Sequence, residues 1–134
     1  MIEINNLTAN SLDYDFLKKV AKIVLNKEKK KLTLSVVLVN PAKIKELNRK
    51  YRKKNRATDV LSFPYDDSGE IVICLKEVNY NAKKFCSPFK TELARVLIHS
   101  VLHLLGYDHQ SQKQRKTMEK KENYYLNLWL KRKS

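Results

Sequence analysis

The apolar positions of this chain change period several times, and each change predicts a new element. Residues 2–6 alternate, with Ile2 and Ile4 set against Glu3 and Asn5, as in a short strand. From about Asp13 to Asn26, Leu17, Val20, Ala21, Val24 and Leu25 recur at helical spacing, which predicts an amphipathic helix with KEKKK at its exposed end. LTLSVVLVN (32–40) is short and rich in β-branched residues, the composition of a buried strand, and Pro41 stands where a second helix would begin. That helix, 42 to about 53, turns Ile44 and Leu47 inward and carries Lys50, Arg52 and Lys53 at its basic end.

DVLSF (59–63) and EIVIC (70–74) are strand-like and flank the turn-prone Asp66-Asp67-Ser68-Gly69, so a hairpin is expected. The strand–helix–strand–helix order before it implies parallel pairing, with the hairpin supplying an antiparallel member. A short helix near 76–85 follows. Ser87-Pro88 then reads as an N-cap and first-turn pair opening a long helix that Gly106 closes. A last helix, from about Gln110 to Leu130, directs Met118, Tyr125 and either Leu128 or Trp129 inward. The expected fold class is α+β: a four-stranded mixed β-sheet with surrounding helices.

A length of 134 residues suits one domain, taken as 1–134. Cys74 and Cys86 show no C-x-x-C spacing and are expected to be small core fillers. The first residues lack the basic and apolar regions of an export signal, and no apolar run reaches about 18 residues, so the expectation is a cytoplasmic protein without membrane attachment. Charge changes the picture more: Lys+Arg 28 against Asp+Glu 14 gives +14, a field that attracts polyanions, nucleic acid foremost.

The helix at 88–105 is apolar on nearly every side, as a buried helix is, except at His99 and His103. Four residues apart, these project from one face about a turn from each other, a spacing that lets two imidazoles share a metal ion. Gly106 can reverse the chain so that His109 joins them. The segment HSVLHLLGYDH (99–109) thus has the intervals of the zinc-protease motif H-E-x-x-H-x-x-G-x-x-H, with Ser100 in place of the glutamate. Three nitrogen ligands without cysteine suggest one catalytic Zn2+ with water as fourth ligand. A serine hydroxyl is too weakly basic to replace the missing general base. Hydrolysis then requires other groups to stabilise developing charge, and a phosphodiester is suited to Arg and Lys in that role.

Two segments resemble the YbeY family of metal-dependent endoribonucleases, bacterial factors for rRNA maturation and ribosome quality control. LNRKYRKKNRATDVLSFP (47–64) is similar to the family's L-N-x-x-Y-R...T-D-V-L-S-F-P signature, and HSVLHLLGYDH to its H-x-x-x-H-x-x-G-x-D-H block. GEIVI (69–73) and MEKKE (118–122) fit weaker patterns, so the similarity spans roughly 32–125. Many members have Gly at the position of Ser100 and Gly-Asp at Gly69-Glu70, and the hairpin loop looks shorter here. The resemblance implies that His99, His103 and His109 are the zinc ligands and that Arg52, in the Tyr-Arg pair, is a cleft arginine that binds RNA and is needed for its processing. It also implies single-stranded RNA as substrate, 16S rRNA 3′ end processing, and association with the small ribosomal subunit.

Thr58 and Asp59 read either as a brace for the following strand or as hydrogen-bond partners of a ligand histidine, and Asp108 either as such a partner or as a turn residue. Two rival functions stand beside the nuclease. A zinc metallopeptidase shares the histidine spacing but conflicts with Ser100 and the charge. A non-catalytic RNA-binding ribosome-assembly factor would carry a structural metal.

Overall fold

The computed structural model describes residues 1–9 and 15–133. In chain order the elements are β1 (Ile2–Asn6), α1 (Asp15–Lys27), β2 (Thr33–Val39), α2 (Pro41–Arg52), β3 (Val60–Pro64), β4 (Ser68–Cys74), α3 (Leu75–Lys84), α4 (Phe89–Leu104) and α5 (Gln112–Lys133). Asp13, the expected start of the first helix, lies outside the described residues. The fold is α+β, and its four strands form one mixed sheet in the order β1-β2-β4-β3.

β1 pairs with β2 and β2 with β4 in parallel, while β3 pairs antiparallel with β4. β4, not β3, therefore takes the place beside β2. The burial of the two strands gives the reason: Ile71, Val72, Ile73 and Cys74 of β4 are enclosed on both faces, whereas β3 is mostly half-buried and ends in Pro64. A strand apolar on both sides is driven to the centre, and proline suits an edge.

Alternation along the strands divides the core in two. Leu34, Val36 and Leu38 of β2 and Ile71 and Ile73 of β4 share the larger core with α1, α3 and α4, and α5 joins it by packing on α1 and α4. Val39, Val72, Cys74 and Leu61 meet Ile44 of α2 on the other. α4 packs against α1, α3, α5 and the β3–β4 hairpin, which explains its near-uniform apolarity. Met118, Tyr125, Leu126 and Trp129 are buried residues of α5, with Leu128 partly buried beside them.

Three expectations change in detail. Gly69 belongs to β4 rather than to the turn, which is Tyr65–Asp67 closed by the Tyr65 amide donating to the Ser68 carbonyl at 2.9 Å. Its lack of a side chain serves close packing: a Cβ there would stand 2.6 Å from Leu104 Cδ1, at the end of α4. Cys86 is exposed rather than a core filler. It takes φ 54 after α3, where its amide donates to Lys83 O and that of Ser87 to Ala82 O, a Schellman closure normally made with glycine. The Ser87 amide ends α3, and α4 starts one residue later than expected: Pro88 is its N-cap, without a side-chain cap hydrogen bond, and the helix begins at Phe89.

Candidate metal centre

The end of α4 determines where the third histidine goes. Gly106 adopts φ +104, its amide donates to His103 O at 3.1 Å, and the Tyr107 amide donates to Leu102 O at 3.1 Å. This second Schellman closure needs a residue free to enter the left-handed region, which Gly106 supplies. The reversal returns Asp108 and His109 to the last turn of the helix. His109 comes within 5.5 Å of His99 and 6.1 Å of His103, centroid to centroid.

The tightest donor group is His103, Asp108 and His109, whose potential ligand atoms all lie within 4.8 Å of one another. Two imidazoles and a carboxylate at this separation form a set that could coordinate a divalent metal. Asp108 Oδ1 also accepts the backbone N–H of His109 at 2.7 Å, so its turn role and its proximity to the histidines coexist. His99 is oriented from α5: its Nδ1 lies 3.2 Å from Glu122 Oε2, which leaves Nε2 as the nitrogen available to an ion. His103 and His109 are exposed and His99 is half-buried, so the group opens to solvent.

Ser100 faces the opposite environment. Its side chain is buried among the apolar residues of α4, and among the described residues its Oγ has no hydrogen-bond partner. The position that holds a general base in the zinc-protease motif is thus directed into the core here, away from the open histidines.

Behind the reversal sits a second polar cluster. Glu28 Oε1 accepts the Tyr107 hydroxyl at 2.6 Å, while Oε2 accepts Lys121 Nζ at 2.9 Å and the Tyr125 hydroxyl. Burial alone would push the Glu28 carboxyl up, but hydrogen bonds from both tyrosines and Lys121, together with the lysine's charge, hold it below its ordinary range. The hydrogen bond to Glu28 raises Tyr107 and Lys121, and burial followed by the same carboxylate raises Tyr125. One carboxylate therefore ties the end of α1 to the segment bearing His109 and to α5, which bears Glu122.

Arg52 stands at the end of α2. Asn40 Oδ1 caps that helix by accepting from Lys43 N, Pro41 follows, and Lys53 closes it with φ 57. Buried Asn48 donates from Nδ2 to Arg56 O at 3.0 Å, holding the basic loop against the helix. Arg52 Nη2 donates to Ser62 O of β3 at 2.7 Å, and its guanidinium lies 5.4 Å from the Phe63 centroid. Both α2 and α4 pack against β3. Thr58 donates to Asp59 at 3.3 Å, and Asp59 O accepts the Cys74 amide at 2.9 Å, contacts that brace the entry to the hairpin.

Residues 3–129 match the family model described as Endoribonuclease YbeY. The chain belongs to the YbeY family. Among curated relatives, the YbeY endoribonuclease of Chlorobium phaeovibrioides is 38% identical over 132 residues, covering 95% of this chain and 89% of the relative. That of Thermodesulfovibrio yellowstonii is 45% identical over 118 residues, covering 81% and 74%. The solution structure of a Thermotoga maritima protein matches with a TM-score of 0.75 and 38% identity, covering 96% of this chain and 89% of that one.

Within the YbeY signature, the candidate residues occupy distinct supports: His99 and His103 a buried helix, His109 its exit, and Arg52 the end of α2. Sequence reasoning missed Glu122 as the partner of His99, although it closes the MEKKE segment, because 23 residues separate the two. KEKKK marks the exposed end of the first helix in the sequence, yet within it the Glu28 side chain is only 9% exposed. A lone acid within a lysine run was the available signal.

Proposed function

We propose that residues 1–134 act as one zinc-dependent endoribonuclease domain that cleaves single-stranded RNA in 16S rRNA 3′ end maturation and ribosome quality control. The observation that carries this reading is the convergence of His99, His103 and His109, with Glu122 orienting His99, in a chain of the YbeY family. The donor chemistry fits zinc: neutral imidazoles suit it, and a neighbouring carboxylate fixes the tautomer of a ligating ring. When bound, zinc would supply Lewis acidity and lower the pKa of a coordinated water to about 7. His99, His103 and His109 hold the ion in this reading, and Asp108 orients His109 through its backbone contact. Arg52, anchored to β3, binds the phosphate and stabilises charge that grows on it.

The +14 charge supports an RNA substrate, and the enclosed Ser100 argues against the metallopeptidase alternative. Among the described residues no helix is long and apolar enough to cross a membrane. We place the protein in the cytoplasm, at the small ribosomal subunit. The test is metal content and cleavage of single-stranded RNA by the purified chain, with and without chelation, beside His103→Ala. Stoichiometric zinc and chelator-sensitive cleavage are expected for the natural chain, and loss of both for the variant. Undiminished zinc in the variant would remove His103 from the site, and absence of cleavage by the zinc-loaded natural chain would overturn the nuclease reading.

A further inference from the structure

Tyr51 is 52% exposed, although it sits in the most densely basic stretch of the chain. Arg49, Lys50, Arg52, Lys53, Lys54 and Arg56 surround it in sequence, and all are exposed. A single exposed aromatic is ordinary on a protein surface. This one is held from beneath: its ring meets Phe63 edge-on, with centroids 5.3 Å apart and planes at 71°. Phe63 is half-buried on β3 and packs against the smaller core, and it also carries the Arg52 guanidinium. Lys50 Nζ lies 5.3 Å from the Tyr51 centroid. The result is an aromatic ring with an apolar footing, set among cations and next to an arginine already fixed by its hydrogen bond to Ser62 O.

We propose that Tyr51, supported by Phe63, is a stacking subsite for an unpaired nucleobase, and that the flanking cations hold the phosphates on either side of that base. Nucleobases present a flat π-face only where they are unpaired, so a ring of this kind adds affinity for single strands and nothing for a duplex. Phosphate contacts from Arg52 and its neighbours are indifferent to the base. The two contributions together would make this end of α2 distinguish RNA that is open from RNA that is paired. An acidic protein surface would satisfy the cations but make no use of the π-face that Phe63 supports. The inference rests on the proposed RNA substrate and extends it to the means by which strandedness is read.

The test is binding without metal, in chelator, so that cleavage plays no part. Fluorescence anisotropy would follow a labelled oligoadenylate of about ten nucleotides, an abasic ribose-phosphate oligomer of the same length, and an RNA duplex. Tyr51→Leu should weaken the oligoadenylate about tenfold while changing the abasic oligomer and the duplex by less than about twofold. Tyr51→Phe, which keeps the ring, should retain oligoadenylate binding. Equal weakening of all three probes by Tyr51→Leu, or no weakening of any, would overturn the subsite, and so would failure of the natural chain to prefer oligoadenylate to the abasic oligomer. Thermal melting of both variants controls for folding, and an exposed side chain gives each the fold of the natural protein. Base-dependent binding without metal-dependent cleavage would overturn the nuclease reading and leave the subsite standing; the reverse pattern would do the opposite.

Discussion

Nδ1 of His99 on α4 lies 3.2 Å from Oε2 of Glu122 on α5, so one candidate ligand is aimed by a residue from a different helix. The carboxylate side chain is only 14% exposed, which limits competition from water. Glu122→Gln keeps the shape of that contact and removes its charge. Metal affinity should fall by about 10–100-fold, the usual consequence of losing an oriented carboxylate behind a ligating imidazole. Competition with a chelator of known affinity checks this, and unchanged affinity would reduce Glu122 to a packing role.

His99 and Asp108 offer competing versions of the donor set. The family resemblance selects the three histidines, whereas the tightest geometric cluster contains Asp108 in place of His99. Removing a true ligand from a three-ligand site should cost most of the bound zinc. We expect His99→Ala to lose it and Asp108→Asn to retain the majority, because asparagine can still accept the His109 amide. The opposite ranking in elemental analysis would make Asp108 the ligand.

How much of this was legible in the sequence depended on distance along the chain. The helical spacing of His99 and His103 and the glycine after them are local, and each leads directly to its place in the fold. The pairing of β2 with β4 is not local, and it was decided by which strand could be buried on both faces. Glu122 and Glu28 were hidden for the same reason: a polar residue's partner cannot be read from periodicity when it arrives from another helix. The start of α5 was two residues later than expected, yet a local sign existed. Ser111 and Gln114 cap each other reciprocally, side chain to amide at 3.1 Å both ways.

Ser100 makes two substitutions behave in opposite ways. Its buried hydroxyl has no partner among the described residues, so Ser100→Ala removes an unsatisfied group and should be neutral or stabilise by up to about 1 kcal/mol. Ser100→Glu would force a carboxylate into an apolar helix interface, at a cost of about 3 kcal/mol or more. Urea unfolding measures both. Casein hydrolysis should be absent from every form, and efficient hydrolysis by the natural chain would favour the peptidase alternative.

Arg52→Ala separates phosphate chemistry from metal binding. Zinc content should remain normal, because the guanidinium contacts Ser62 O and Phe63 rather than the histidines. Cleavage should fall about 10²-fold if the arginine stabilises charge in the transition state, while RNA affinity declines only modestly. Arg52→Lys should recover little, since an ammonium lacks the planar fork that can serve β3 and a phosphate together. Single-turnover cleavage of saturated RNA at the natural rate would confine Arg52 to binding.

Glu28 should show its contribution most clearly in the pH dependence of stability, measured in chelator. Its carboxyl is held below the ordinary value of 4.5 by Tyr107, Tyr125 and Lys121 against the opposing effect of burial. A lowered carboxyl pKa stabilises the folded chain above the unfolded value and loses that effect as pH falls through the folded one. Tyr107, Tyr125 and Lys121 are raised, so their contributions are present below their ordinary values and fade as pH rises past about 10. Glu28→Gln retains an oxygen acceptor but removes the charge, and should destabilise by about 2 kcal/mol near neutrality. The difference from the natural chain should form a plateau that narrows below about pH 4.5 and again above about pH 10. Because Tyr107 precedes Asp108 and His109, the variant should also bind zinc more weakly while remaining folded. A stability difference independent of pH would mean that Glu28 acts by shape alone, and the proposed link between its charge and the histidine segment would fail.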